Sequence, residues 1–192
     1  WICYNSQVNQ ERESMIEALE FATEMHEGQV RKYTGEEYIM HPIAVADLVE
    51  EYLDEQEEPE EFVMAAIAIA LLHDTVEDTP ATEENILERF GAEIAEGVWY
   101  LTKTPSFVGN RAFRKKLCEA RLSQAPYMVR VIKTFDMFHN SLSIQEHDPK
   151  FWELFQQETV ELLEAMGTQH IFEEAKSRLA YNSDHYATQV AQ

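Results

Sequence analysis

One short acidic segment carries four side chains that can bind a metal ion or transfer a proton. His73 and Asp74 are adjacent, and a second adjacent pair, Glu77 and Asp78, begins three residues after Asp74. The preceding stretch, residues 62–72, is mostly apolar and predicts a buried helix. Polar and charged groups beside a core helix are costly unless they are paired or bind a ligand. We therefore interpret this segment as part of a functional site.

Two further candidate ligands come from other predicted helices. Pro42 suits the first turn of a helix, so His41 lies at a helix start. A histidine at such a position is usually a cap or a packed side chain, so a ligand role for His41 depends on the other motifs. Asp136 shares a helix face with Lys133 and Asn140, and its apolar neighbours favour a pocket wall over a solvated triplet. Together with the adjacent His–Asp pair, these give two imidazoles and two carboxylates. Such a ligand set suits manganese, iron(II) or zinc better than calcium.

Helical periodicity extends along most of the chain, and we find no stretch with the alternation of a β-strand. We therefore expect an all-α helical bundle. The 192 residues most simply form one domain, with a core over about residues 12–180, a short N-terminal arm and a polar C-terminal tail. The predicted helices are 12–25, 43–53, 62–73, 82–90, 92–103, 111–123, 127–144, 151–166 and 171–179.

The net charge limits the classes of partner. Thirty-six acidic residues outnumber fifteen basic ones and give −21, which argues against nucleic-acid binding through a general basic surface. No stretch reaches the roughly 18 apolar residues of a membrane-spanning helix, and nothing resembles a signal peptide. The two cysteines are far apart, so we expect neither a disulfide framework nor a thiolate zinc site. We expect a cytoplasmic protein with no nucleic-acid or membrane partner; its oligomeric state stays open.

The basic residues are concentrated in one part of the chain. Eight of the fifteen lie between residues 103 and 133. A solvated helix face of mixed charge explains this as well as a local field that attracts a small anionic ligand. The sequence leaves both interpretations open.

Six short motifs follow one another along the chain. They are His26-x-Gly28-Gln29-x-Arg31-Lys32, Tyr38-Ile39-x-His41-Pro42-x-x-Val45-Ala46, Leu71-Leu72-His73-Asp74-x-Val76-Glu77-Asp78-Thr79, Phe90-Gly91, Leu101-Thr102-Lys103 and Lys133-x-x-Asp136-x-x-His139-Asn140. In this order they resemble the HD-type metallohydrolase superfamily, and several motifs in one order are more specific than any single match. Within that superfamily the chain resembles the hydrolase domain of RelA/SpoT-type enzymes and the stand-alone small alarmone hydrolases, over roughly residues 14–180.

The resemblance implies an HD-domain helical bundle that holds a manganese ion. It also implies a substrate, guanosine tetra- or pentaphosphate (ppGpp or pppGpp), which would lose its 3′-pyrophosphate to leave GDP or GTP. A bound metal lowers the pKa of water from 15.7 to roughly 7, so it would supply the nucleophile that this hydrolysis needs. The implied residues are His41, His73, Asp74 and Asp136 for the metal, Glu77 and Asp78 for the attacking water, and Arg31, Lys32, Lys133, Asn140 and Ser143 for the nucleotide.

One motif departs from the family pattern. Where the family usually has Lys-x-Ala-Asp-Arg-Leu-His-Asn, this chain has Met137 in place of the arginine and Phe135 in place of the alanine. We expect metal binding to be intact, while the shape of the pocket, and hence the exact nucleotide, stays open.

Two other classes of function compete with this interpretation. The first is another phosphohydrolase on the same site, such as a nucleotidase, a deoxynucleotide triphosphohydrolase or an NADPH phosphatase. The second is a non-catalytic HD module that binds a nucleotide, which loss of ligands or of the acid pair would have favoured. We also expect a hydrolase without an opposing synthetase domain, because the sequence ends at Gln192.

Overall fold

The computed structural model describes the backbone of residues 2–190 and the side chains of residues 12–180. Within that backbone there are nine α-helices, one 3-10 turn at Ser106–Val108 and no strand, which confirms the predicted all-α class. The helices are α1 (Ile2–Met25), α2 (Met40–Glu55), α3 (Glu60–Leu72), α4 (Thr75–Asp78), α5 (Glu83–Leu101), α6 (Arg111–Leu122), α7 (Tyr127–His147), α8 (Pro149–Met166) and α9 (Gln169–Val190).

The third helix, α3, forms the centre of the bundle. It is apolar on nearly all sides and packs against α1, α2, α5 and α7. A helix that is hydrophobic all round is one that is buried. On α5, a Cβ atom at Gly97 would lie 2.4 Å from Ile69 Cδ1, so a larger residue there would force the Ile69 side chain to move. This packing fixes the carboxyl end of α3, where the His–Asp pair follows.

The largest differences from the predicted helix boundaries are in α1, α5 and α9. The backbone of α1 is helical from Ile2 rather than from residue 12, because no glycine or proline interrupts residues 2–25. Gly91 leaves helical geometry with φ 80°, as a predicted stop should, but α5 resumes directly and continues to Leu101. The backbone of the predicted polar tail continues α9 to Val190.

Cys118 is a free, half-buried thiol, whereas the side chain of Cys3 lies outside the described residues. Among the described residues, no helix combines the length and the hydropathy needed to cross a bilayer.

Candidate metal centre

Three helices bring the four predicted ligands close together. His41 lies in the first turn of α2, His73 and Asp74 follow α3, and Asp136 lies in the middle of α7. His41 Nε2 lies 3.1 Å from Asp136 Oδ1 and 3.7 Å from Asp74 Oδ2. His73 Nε2 lies 3.1 Å from Asp74 Oδ2 and 3.7 Å from Asp136 Oδ1. One ligand atom each from His41, His73 and Asp74 lies within 4.8 Å of the others, as a shared metal ion requires.

The hydrogen bonds of His73 fix its tautomer. Its Nδ1 lies 2.7 Å from the carbonyl oxygen of Ala70, which can only accept, so Nδ1 carries the proton and donates it. The lone pair of Nε2 then faces carboxylate oxygens, and this buried atom makes no hydrogen bond. A lone pair surrounded by carboxylates is unfavourable unless a cation lies between them. The arrangement therefore fits a divalent metal ion bound at Nε2.

The ionisation of the cluster supports the same conclusion. Burial would raise the pKa of Asp74, but His73 outweighs burial and holds the pKa below its usual range. For Asp136 burial is again outweighed, chiefly by Lys133 and then by His41 and His73, so its pKa is also lowered. Burial lowers the pKa of His41. For His73, burial is outweighed by Asp74 and Asp136, which raise the pKa to about 10. Either a proton or a metal ion at Nε2 of His73 can therefore offset the negative charge of the Asp74 and Asp136 carboxylates.

His139 supports His41 from the side away from the carboxylates. The two Nδ1 atoms lie 2.7 Å apart, and the rings stack with centroids 5.0 Å apart. Burial, His41 and Arg31 lower the pKa of His139 to about 4, so this ring is neutral and can accept a hydrogen bond at Nδ1. His41 Nδ1–H then donates to His139, so Nε2, which faces Asp136 Oδ1 at 3.1 Å, is the His41 atom that could bind a metal. Sequence reasoning assigned His139 no role, because spacing on a helix does not fix where its ring points.

Tyr38 connects the acid pair to the metal cluster. Its hydroxyl donates to Asp74 Oδ2 at 2.7 Å and lies 3.3 Å from Asp78 Oδ2. Burial and the nearby Asp74 raise the pKa of Tyr38, so the phenol stays protonated. His26 stacks on Tyr38 with centroids 4.7 Å apart, and Gln29 donates to the carbonyl oxygen of Asp78 at 2.8 Å. The loop between α1 and α2 therefore positions Tyr38 and Asp78 together.

Glu77, the other member of the acid pair, binds a different partner. Lys103 Nζ donates to Glu77 Oε1 at 2.6 Å, and the backbone N of Lys103 donates to Oε2 at 3.3 Å. Burial is outweighed by Glu77, so the pKa of Lys103 is raised and its charge is retained. The sequence placed Lys103 in a motif without giving it a partner.

Three of the five predicted nucleotide contacts adjoin the cluster. Arg31 donates to Asn140 Oδ1 at 2.8 Å, and Asn140 Nδ2 donates to Asp136 Oδ1 at 2.7 Å. Lys133 Nζ lies 2.7 Å from Asp136 Oδ2. The remaining two residues lie elsewhere: Lys32 is exposed, 3.8 Å from Asp148, and Ser143 donates to the carbonyl oxygen of Asn140 at 3.3 Å.

The two departures from the family pattern fill the core. Phe135 and Met137 are both buried, and the ring of Phe135 packs on Tyr52 with centroids 5.6 Å apart. Each neighbours Asp136 in sequence, but successive residues of a helix project in different directions. We therefore expect these substitutions to act on a ligand pocket through the packing of α7.

The fold and the cluster define the class of protein, an all-α protein with a buried His/Asp site that can hold a metal. Residues 18–162 match the HD domain family, and the chain belongs to this family. This match confirms the family that the motifs indicated.

Two curated relatives are named as a pyrophosphohydrolase and a pyrophosphokinase of guanosine nucleotides. The chain is 35% identical over 176 residues to the guanosine-3′,5′-bis(diphosphate) 3′-pyrophosphohydrolase of Haemophilus influenzae, covering 85% of this chain and 24% of that protein. It is 33% identical over 150 residues to the GTP pyrophosphokinase of Myxococcus xanthus, covering 74% of this chain and 18% of that protein. The chain thus spans a quarter or less of the length of these curated relatives.

A solved structure confirms the fold. A metazoan ortholog of SpoT, which hydrolyzes ppGpp, superposes with a TM-score of 0.66 at 24% sequence identity. The match covers 80% of this chain and 85% of that chain.

Proposed function

We propose that this chain is a manganese-dependent phosphohydrolase that removes the 3′-pyrophosphate of ppGpp or pppGpp and leaves GDP or GTP. The observation that carries the proposal is the buried cluster in which His73 Nε2, without a hydrogen bond, faces the carboxylates of Asp74 and Asp136. The name of the H. influenzae relative supports the substrate. Such a nucleotide fits a cytoplasmic location and requires no nucleic-acid or membrane partner.

In this proposal the metal ligands are His41, His73, Asp74 and Asp136. When bound, the ion would lower the pKa of a water molecule and polarise a phosphoryl oxygen. The chain's own residues hold the ligands in place, because His41 contacts His139 and His73 contacts the carbonyl oxygen of Ala70.

The acid pair handles the attacking water. Asp78 lies beside the Tyr38 hydroxyl, which also contacts Asp74, so it is the member of the pair joined to the metal cluster. Asp78 therefore orients the water or accepts its proton. Glu77 assists from the side on which Lys103 holds it.

Of the predicted nucleotide contacts, Arg31 has the most firmly held side chain. Asn140 and the face of Tyr38 hold its guanidinium, which lies 2.8 Å from Asn140 Oδ1 and 5.8 Å from the ring centroid. A planar guanidinium binds phosphate through two parallel hydrogen bonds. In this proposal Asn140 and Lys133, which both contact Asp136, bind the nucleotide beside Arg31. The exposed Lys32 and Ser143 contact it at the edge of the same pocket.

Hydrolysis is favoured over pyrophosphoryl transfer. The matches cover only 24% of the H. influenzae protein and 18% of the M. xanthus protein, so neither name alone decides the activity. The preference for hydrolysis rests on the water that a metal held by the cluster would activate. The other phosphohydrolase substrates and the non-catalytic module remain as outcomes of the experiment below.

The test is a product assay on metal-stripped protein. We expect manganese-dependent release of pyrophosphate and GDP from ppGpp, and a loss of at least about 100-fold in the Asp74→Ala variant. Asp47→Ala is the matched control, because Asp47 is exposed on α2. Nucleoside monophosphates, deoxynucleoside triphosphates and NADPH complete the panel. Turnover of one of these instead of ppGpp would replace the substrate, and nucleotide binding without turnover would support the non-catalytic module.

A further inference from the structure

A cavity of about 610 Å³ lies beside the acid pair, and none of the four predicted metal ligands lines it. The carboxyl end of α5, the loop that follows it and one face of α6 surround it, and Glu77 lies on its wall. Because Glu77 also belongs to the acid pair, the cavity lies next to the proposed reaction site.

The cavity has a positive charge in a strongly negative chain. Its cationic side chains are Lys103, Arg114 and Arg121, and its acidic ones are Glu77 and Glu83. Lys103 is paired with Glu77 at 2.6 Å. Over residues 12–180, neither arginine has a carboxylate within ion-pair distance. Two guanidinium groups thus lack an anionic partner, although the chain has 36 acidic residues.

The two faces of α6 differ in this respect. Arg111 pairs with Glu158, and Lys115 pairs with Glu161, both on α8. Arg114 instead faces the cavity and donates only to backbone carbonyl oxygens, at Ser106 and Gly109. The basic residues between 103 and 133 therefore include some that are neutralised by ion pairs to α8 and others that face the cavity without an ion pair.

The arginines of the cavity are held in place before any ligand binds. Arg121 donates to the carbonyl oxygen of Thr102, and its guanidinium lies 5.1 Å from the ring centroid of Trp99. Its Nε is buried, so the guanidinium can meet a ligand only through its terminal N–H groups. These groups are the ones that bind a phosphate by charge-assisted hydrogen bonds.

We propose that this cavity binds the phosphates at the end of the nucleotide that does not react, through Arg114 and Arg121. This inference rests on the proposed function, in which the 3′-pyrophosphate lies at the metal. A substrate phosphorylated at both ends brings a second anionic group next to the first. In a chain of charge −21, that group needs its own cations.

The experiment compares two substrates that differ only at the 5′ end. One is ppGpp, and the other is guanosine 3′-diphosphate with a free 5′-hydroxyl. Loss of a charge-assisted hydrogen bond in Arg114→Gln should raise KM for ppGpp about tenfold. We expect KM for the 5′-hydroxyl compound and kcat for both substrates to be unchanged. Arg121→Gln should act in the same direction.

The matched control is Lys116→Gln, because Lys116 is on the same helix and exposed but does not line the cavity. Arg114→Lys keeps the charge without the planar fork, so we expect an intermediate KM, which separates ligand binding from a misfolded loop. An equal rise in KM for both substrates, or no rise for ppGpp, would overturn the inference.

Failure of the proposed function gives a different result, since the wild type would then cleave neither substrate. The cavity is in that case tested by calorimetric titration of metal-stripped protein with inorganic pyrophosphate. Weaker binding by Arg114→Gln than by wild type and Lys116→Gln supports an anion site, and equal binding by all three overturns it.

Discussion

The charged groups of the metal cluster and those of α6 differ in burial and in pairing. In the cluster the charged groups are buried, and each contacts partners from other helices, as Asp136 does with His41 and Lys133. On α6, Arg111 is 58% exposed and pairs with α8, and Arg114 has no carboxylate partner among the described residues. A charge removed from the cluster leaves its partners buried and unpaired, whereas one removed from α6 is replaced by water. The two regions should therefore respond to substitution on different scales.

The largest effect is expected at Asp136. Asp136→Asn keeps the shape but removes the negative charge that faces His41, His73 and Lys133. Breaking a buried pair of this kind costs about 3 kcal/mol, so the free energy of unfolding should fall by that amount. Metal binding should be lost with it. Urea unfolding and metal titration measure the two effects, with Asp47→Asn as an exposed control. Unchanged stability would remove the distinction between the two regions.

The next effect is expected at His139, which carries no charge. His139→Phe removes the acceptor for His41 Nδ1–H and should weaken metal affinity about 10- to 100-fold. His139→Gln offers an amide oxygen and should recover part of the loss. A competition titration with a metal-binding dye gives the affinities, and His170→Phe controls for loss of an exposed histidine. If the Phe and Gln variants bind metal equally well, hydrogen bonding to His41 is not what His139 contributes.

Lys103 lies between the metal cluster and α6. Its substitution tests whether Lys103 belongs to the metal cluster. Lys103→Met removes the contact to Glu77 and should lower kcat about tenfold, because a hydrogen bond to a charged group is lost. Metal affinity should stay unchanged, since Lys103 contacts none of the four predicted ligands by hydrogen bond or ion pair. Lys116→Met is the control. A parallel fall in metal affinity would extend the cluster to Lys103.

How far the sequence predicts the site depends on whether a residue's position or its direction matters. His73 and Asp74 follow an apolar helix, and Asp136 shares a face with Lys133, so helical spacing was enough to place them. The Tyr38 contact to Asp74 and the Lys103 contact to Glu77 join separate elements. Such contacts depend on the angles at which helices pack, and a 3.6-residue period does not contain those angles.

The same reasoning explains the helix boundaries. Glycine was expected to end a helix at Gly91, and its backbone does leave helical geometry there. Whether a new helix starts at once or after a loop depends on the packing of α5 on α3, where Gly97 meets Ile69. That contact is set by tertiary structure, so the sequence pattern predicted the break but not the continuous helix.

The smallest effect is expected at Arg111, on the neutralised face of α6. Arg111→Gln breaks the pair with Glu158, but the arginine side chain is 58% exposed. Exposed pairs contribute about 0.2–1 kcal/mol, so the free energy of unfolding should fall by no more than that. KM for ppGpp should not change, in contrast to Arg114→Gln three residues along the same helix. Steady-state kinetics on both variants under identical salt make the comparison. If Arg111→Gln raises KM as much as Arg114→Gln, the whole helix acts as one diffuse positive field, and the division of α6 into a paired face and a ligand-binding face is wrong.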